Sequence, residues 1–143
     1  MRLDRMTNKF QLAISDAQSM ALGRDHQYIE PVHVMMALLN QENGSVRSIL
    51  VTINVNINKL RSALSEAIDQ LPKVSGAGAD VQISSQLINL LNFSDKLSQK
   101  RKDKYITSEI FMLAAVSGQG KLTDIFKQLG ITENGVSQAI ESL

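Results

Sequence analysis

Apolar residues recur at three- and four-residue steps from the start of the chain. Phe10, Ala13, Ile14, Ala17, Met20 and Ala21 fall on one face of a helix. Thr7 precedes this run and predicts an N-cap, because its hydroxyl can accept one of the N–H groups that a first helical turn leaves free. Pro31 predicts the start of a second helix, since proline suits the first helical position, where no backbone donor is needed. Gly44 breaks the chain before a short third helix near residues 46–51. Asn56 predicts the cap of a fourth, with Leu60, Ala63, Leu64, Ala67 and Ile68 as its buried stripe.

The same pattern then returns. A shift of 77 lays residues 10–39 on 87–116 without a gap. Phe10 meets Leu87, Ala13 meets Leu90, Ile14 meets Leu91, Met20 meets Leu97, and Tyr28-Ile29 meets Tyr105-Ile106. After a one-residue gap the shift is 76: Gly44 meets Gly120, Ile49 meets Ile125, and Ala63-Leu64 meets Ala139-Ile140. Ser84, Thr107 and Thr132 become the second-half caps, and Gly130 the stop of a helix near 122–129. Residues 72–80, Pro-Lys-Val-Ser-Gly-Ala-Gly-Ala-Asp, predict a loop between the copies. The expected fold is all-α: a duplicated four-helix repeat, eight helices related by approximate two-fold symmetry. Neither half has much core alone, so one domain over 1–143 is expected, with repeat one at 7–71, a linker at 72–83 and repeat two at 84–143.

Composition narrows the functions. With 143 residues the chain is long enough to bury a core. Its formal charge is +1, which offers no global attraction to nucleic acid or anionic lipid. There are no cysteines, so disulfides and thiolate metal sites are excluded, and a cytoplasmic location is permitted. The charged start leads into no signal-type apolar region, and no run approaches a membrane span.

Candidate chemistry is sparse. Gly118-Gln119-Gly120-Lys121 superficially suggests a phosphate loop, yet Ala115 stands where its first glycine belongs and Leu122 where a magnesium-binding hydroxyl is needed. It reads as a turn. His26 and His33 are too far apart to share one helical turn, and no metal is expected. His33, one turn after Glu30, reads as a solvated or capping histidine. Lys96, Lys100, Arg101, Lys102 and Lys104 form a basic run, but Asp95 and Asp103 interrupt it and it falls at a helix end, where carbonyl dipoles favour cations. Tyr105 reads as a packing residue because Tyr28 repeats it. No serine is paired locally with a histidine base, and no catalytic centre is expected.

Differences between the copies are the better guide to a site. Positions apolar in both halves serve the shared core, whereas Ile88, Phe93 and Ile110 align with Gln11, Asp16 and His33. Together with Leu91, one turn from Ile88, they are expected to line an exposed apolar groove of the kind that binds proteins. Asp103 and Glu109 align with His26 and Val32, so the shared fold does not require this acidic pair.

The segments Leu3-Asp4-Arg5-Met6-Thr7-Asn8-Lys9-Phe10, Tyr28-Ile29-Glu30-Pro31-Val32-His33, Lys96-Leu97-Ser98-Gln99-Lys100-Arg101 and the run from Tyr105 to Ala115 together resemble the Clp N domain. That duplicated helical domain heads ATP-driven Clp chaperones, and the second half resembles their disaggregase branch. One departure is Val32, where the family often carries Glu before the first-repeat His; the acid stands at Glu109 instead. The resemblance implies a fragment that recognises exposed apolar segments of unfolded or aggregated clients, with Thr7, Asp103 and Glu109 on the groove rim. It implies no cofactor here, but ATP and magnesium in absent ATPase modules. The implied isolated domain is a monomer and the whole protein a hexamer that works with a DnaK-type chaperone. Other members of the family imply an alternative, docking of an adaptor or degron for a protease.

Overall fold

A computed structural model describes residues 3–74 and 80–143. The described residues form eight α-helices, α1 (Asn8–Gly23), α2 (Pro31–Leu39), α3 (Ser45–Thr52), α4 (Ile57–Asp69), α5 (Ser85–Lys100), α6 (Ser108–Ser117), α7 (Lys121–Gln128) and α8 (Glu133–Glu141). The expected caps are made: Thr7, Asn56, Ser84, Thr107 and Thr132 each accept a backbone N–H from three residues on, and Pro31 opens α2. Gly118-Gln119-Gly120 is the α6–α7 turn, with Gly120 at φ 125°, a region side chains avoid.

The duplication is written into the backbone. Four helices end in the same left-handed closure, at Asp25, Lys102, Asn54 and Gly130. In each, the next N–H reaches back across the last turn: His26 to Ala21, Asp103 to Ser98, Val55 to Leu50 and Ile131 to Phe126, at 2.8–2.9 Å. This is the Schellman bond that satisfies carbonyls a helix end would orphan. Glycine serves best there, yet Lys102 sits at φ 61°. Lys102→Gly is therefore expected to stabilise the fold by about 1 kcal/mol, read as a raised urea midpoint with unchanged m-value. No gain would mean that the lysine side chain compensates the strain.

The halves also exchange short strands. β1 (Tyr28–Ile29) pairs in parallel with β2 (Gln82–Ile83), which lies just before α5. The symmetric bridge joins Met6, before α1, to Ile106, before α6. Thus the segment leading into each half's first helix is tied to the other half. Arg5 reinforces one tie, donating to Asp95 and to the Ser98 hydroxyl at 2.9 Å. In the segment read as a linker, Lys73 bridges His26 and β2 forms; residues 75–79 lie outside the described residues.

The hydrophobic core runs through both halves. α2 and α6 are its central helices, and every residue of α2 is buried. Phe10, Phe111, Leu38, Leu64, Leu87 and Phe126 are fully enclosed. Among the described residues no helix is long and apolar enough to cross a membrane.

Candidate functional site

The residues chosen from sequence do not form one groove. Leu91 has no exposed surface and packs in the core beside Leu87, so it cannot line an open patch. Its repeat partner Ile14 already pointed that way. Ile88 is 41% exposed, but it lies five residues from Phe93, about 140° around α5. The two therefore look out on opposite flanks of the helix. Phe93 borders a separate cleft of about 500 Å³ with Gln86, Asn89 and the α6–α7 turn.

The other four chosen residues do meet. Thr7, Asp103, Glu109 and Ile110 border one open cleft of about 280 Å³. Its position follows from the strand exchange. The Met6–Ile106 bridge brings Thr7 of the first half to the α5–α6 connection of the second, where Thr7 N–H donates to the Ile106 carbonyl at 3.1 Å. The left-handed turn at Lys102 then lifts Asp103 and Lys104 to the rim. Ile110 is 1% exposed and contributes floor rather than open surface. Ile140 of α8 adds to the apolar lining.

The rim is charged but locally balanced. Arg101 Nε lies 3.5 Å from Asp103. Glu109 occupies the first turn of α6, where free N–H groups favour an acid. It accepts from the Ser45 hydroxyl at 2.6 Å, which ties α6 to α3 of the first half. The Lys104 ammonium sits 5.5 Å from the centre of the Tyr105 ring. Tyr105, expected to be a packing residue, is 41% exposed and walls the cleft. Its twin Tyr28 is equally exposed, so repetition here marks a shared backbone and not burial.

Sequence reasoning also missed the histidine pair. His26 and His33 are both buried, and His26 Nδ1 lies 3.0 Å from His33 Nε2. Glu30 N–H donates to His33 Nδ1 at 2.8 Å, so that nitrogen accepts and His33 Nε2 carries the proton. His33 Nε2–H therefore donates to His26 Nδ1. This leaves the His26 proton on Nε2, which finds no hydrogen-bond partner among the described residues. His33 is thus a capping residue, as expected, but not a solvated one. Burial, followed by the neighbouring His26 and Arg24, lowers its pKa to about 4. Among the described residues no group of three or more metal-ligating side chains converges.

Comparison with known proteins agrees with this architecture. Residues 5–129 match the Clp repeat (R) N-terminal domain. The whole chain is 61% identical over 143 residues to the chaperone protein ClpB of Vibrio vulnificus and 45% identical to that of Pseudomonas putida. It spans 17% of the length of each of these relatives. Among solved structures, the Hsp104 N-terminal domain from Candida albicans superposes with a TM-score of 0.83 at 20% identity, over 95% of this chain and 89% of that one. The N-domain of ClpV from Vibrio cholerae gives 0.80 at 19% identity, over 96% and 84%. At such identities these structures speak for the fold alone. The fold, the internal duplication and the match along the whole chain lead to one assignment: the chain belongs to the Clp N-terminal domain family, as the counterpart of the N-terminal region of ClpB.

Proposed function

We propose that this domain captures exposed apolar segments of unfolded or aggregated proteins at the Thr7–Asp103–Glu109–Ile110 cleft, for ATP-driven disaggregation by the modules that follow it in its longer relatives. One observation carries the reading: the cleft is built across the two halves, and its acidic rim has no counterpart in the first half, where His26 and Val32 stand. A fold needed only for packing would not require that asymmetry. Ile140 and Tyr105 supply the accessible apolar surface, over a floor that includes the buried Ile110, and burial of such surface is worth ~25 cal/mol per Å². Little of that attraction is directional, which suits many clients at weak affinity. Several such sites in a hexameric ring would add by raising effective concentration. Cooperation with a DnaK-type chaperone, and ATP and magnesium in the following modules, belong to the same proposal.

The test is an NMR titration with a permanently unfolded, apolar-rich protein. Shifts are expected at Thr7, residues 102–110 and Ile140. Tyr105→Ala should weaken binding about fivefold, a loss near 1 kcal/mol, without lowering the melting temperature. Unmoved amides at saturating client would sink the reading. They would favour docking of a defined partner instead, the mode suggested by the solved complex of a ClpV N-domain with a VipB peptide.

A further inference from the structure

We propose that the cleft receives its client as an added β-strand, antiparallel to the backbone of residues 102–105, with a basic residue of the client opposite Asp103. This inference rests on the client-binding reading above and specifies its geometry. The first half contains the pattern for it. After α4 the chain turns back and Lys73 forms an antiparallel bridge with His26, while Val74 N–H donates to the Asp25 carbonyl at 2.9 Å. A bond on this side of the bridge makes His26 and Lys73 a non-hydrogen-bonded pair, the kind whose side chains approach most closely. The same ladder geometry aims Gln27 N–H at the Pro72 carbonyl. Leu71, Pro72 and Val74 close a small cleft of about 150 Å³ against Tyr28.

The receiving backbone is repeated in the second half. Lys102 copies the left-handed turn of Asp25, at φ 61° against 60°. Asp103 N–H copies the reach of His26 N–H back across its helix end. The Lys102 carbonyl and the Lys104 N–H therefore present themselves as those of Asp25 and Gln27 do. Tyr105 stands where Tyr28 stands.

Two differences suit the second copy to a separate ligand. Leu64 is fully buried, whereas its equivalent Ile140 is half-buried and leaves apolar surface for an occupant to cover. And Asp103 replaces His26. In the first half Lys73 faces a histidine whose charged form it disfavours. The same lysine, presented by a client, would face a carboxylate, and opposite charges directly across a strand pair attract. The preferred client segment is extended, with a basic residue between apolar ones. Main-chain bonding supplies affinity with little demand on the remaining sequence.

The probe is a blocked peptide copying residues 70–74 (Gln-Leu-Pro-Lys-Val), compared with the same peptide N-methylated at valine. The unmethylated peptide is expected to shift the amides of residues 102–105 and slow hydrogen exchange at Lys104, with a Kd of about 1 mM. N-methylation removes the donor to the Lys102 carbonyl and sets a methyl group against it, and should weaken binding at least about tenfold, as should Asp103→Lys. Equal binding of the methylated peptide, or no shifts at several-fold higher concentration, would overturn the strand geometry. If the unfolded client still moves residues 102–110 in that case, capture at the cleft stands and only the strand fails; if it moves nothing, both fail. A protected Lys104 amide without peptide, in a longer form of the chain, would assign the strand to the protein's own continuation and overturn the client assignment.

Discussion

Phe111→Ala is expected to cost about 3–5 kcal/mol. A domain of this size holds only about 5–15 kcal/mol in total, so the variant should be close to unfolding at room temperature. Phe111 is fully buried on α6, and its ring centre lies 5.2 Å from that of Phe10 on α1, tilted by 45°. Tilted aromatic pairs at this distance gain about 0.5–1.5 kcal/mol beyond the area they bury. The contact also joins the halves, since Phe10 belongs to the first and Phe111 to the second. The symmetric pair is Leu87 and Val34, both enclosed but smaller. Truncating Phe111 thus opens a cavity on the seam, where neither half can collapse to fill it without moving the other. Urea unfolding followed by circular dichroism should show one transition at a much lower midpoint. Two separate transitions would mean that the halves are independently stable and that the continuous core does not couple them. A loss below about 1 kcal/mol would mean that the cavity refills.

Much of this fold was legible because its signals are local. A helix start is declared by a hydroxyl or amide placed before an apolar period, and Thr7, Asn56, Ser84, Thr107 and Thr132 all made the bond expected of them. The duplication was legible because packing constrains size and polarity at equivalent positions even where identities have drifted. What escaped was tertiary. The exchanged strands are two residues long and join segments far apart in sequence, so no periodicity marks them. Leu91 and Ile88 illustrate the limit of comparing copies. Apolar in one half only did mark an exposed residue at Ile88. At Phe93 it marked a different flank of the same helix, and at Ile110 a cleft floor. Asymmetry between repeats shows where the shared packing rule is relaxed, not which relaxed positions are neighbours. The histidine pair escaped for the same reason: His26 follows the end of α1, His33 lies in α2, and only the turn between them brings the rings together.

That pair makes stability depend on pH in a defined window. Both rings are neutral in the fold, since each hydrogen bond described above uses a neutral tautomer. Burial lowers the pKa of His33 from 6.5 to about 4, and burial, with Arg24 and Lys73, lowers that of His26 against the smaller opposing pull of Asp25 and Asp69. Above pH 6.5 the folded and unfolded chains are both unprotonated here, and the pair leaves stability independent of pH. As pH falls below 6.5 the unfolded chain takes up protons that the folded chain refuses, so stability drops, levelling only below about pH 4. For His33 alone the full drop is roughly 3 kcal/mol, at about 1.4 kcal/mol per pH unit while only the unfolded state titrates. The informative range is pH 6 to 5, which lies between the ordinary histidine value and that of His33 in the fold. Urea midpoints measured there should fall with pH in the unmodified protein. His33→Asn should reduce the slope to the part that His26 contributes, because an amide can still accept from Glu30 N–H without binding a proton. An unmodified protein that is equally stable at pH 6 and pH 5 would show that the fold accommodates an imidazolium at this site. An unchanged slope in His33→Asn would move the effect to other groups.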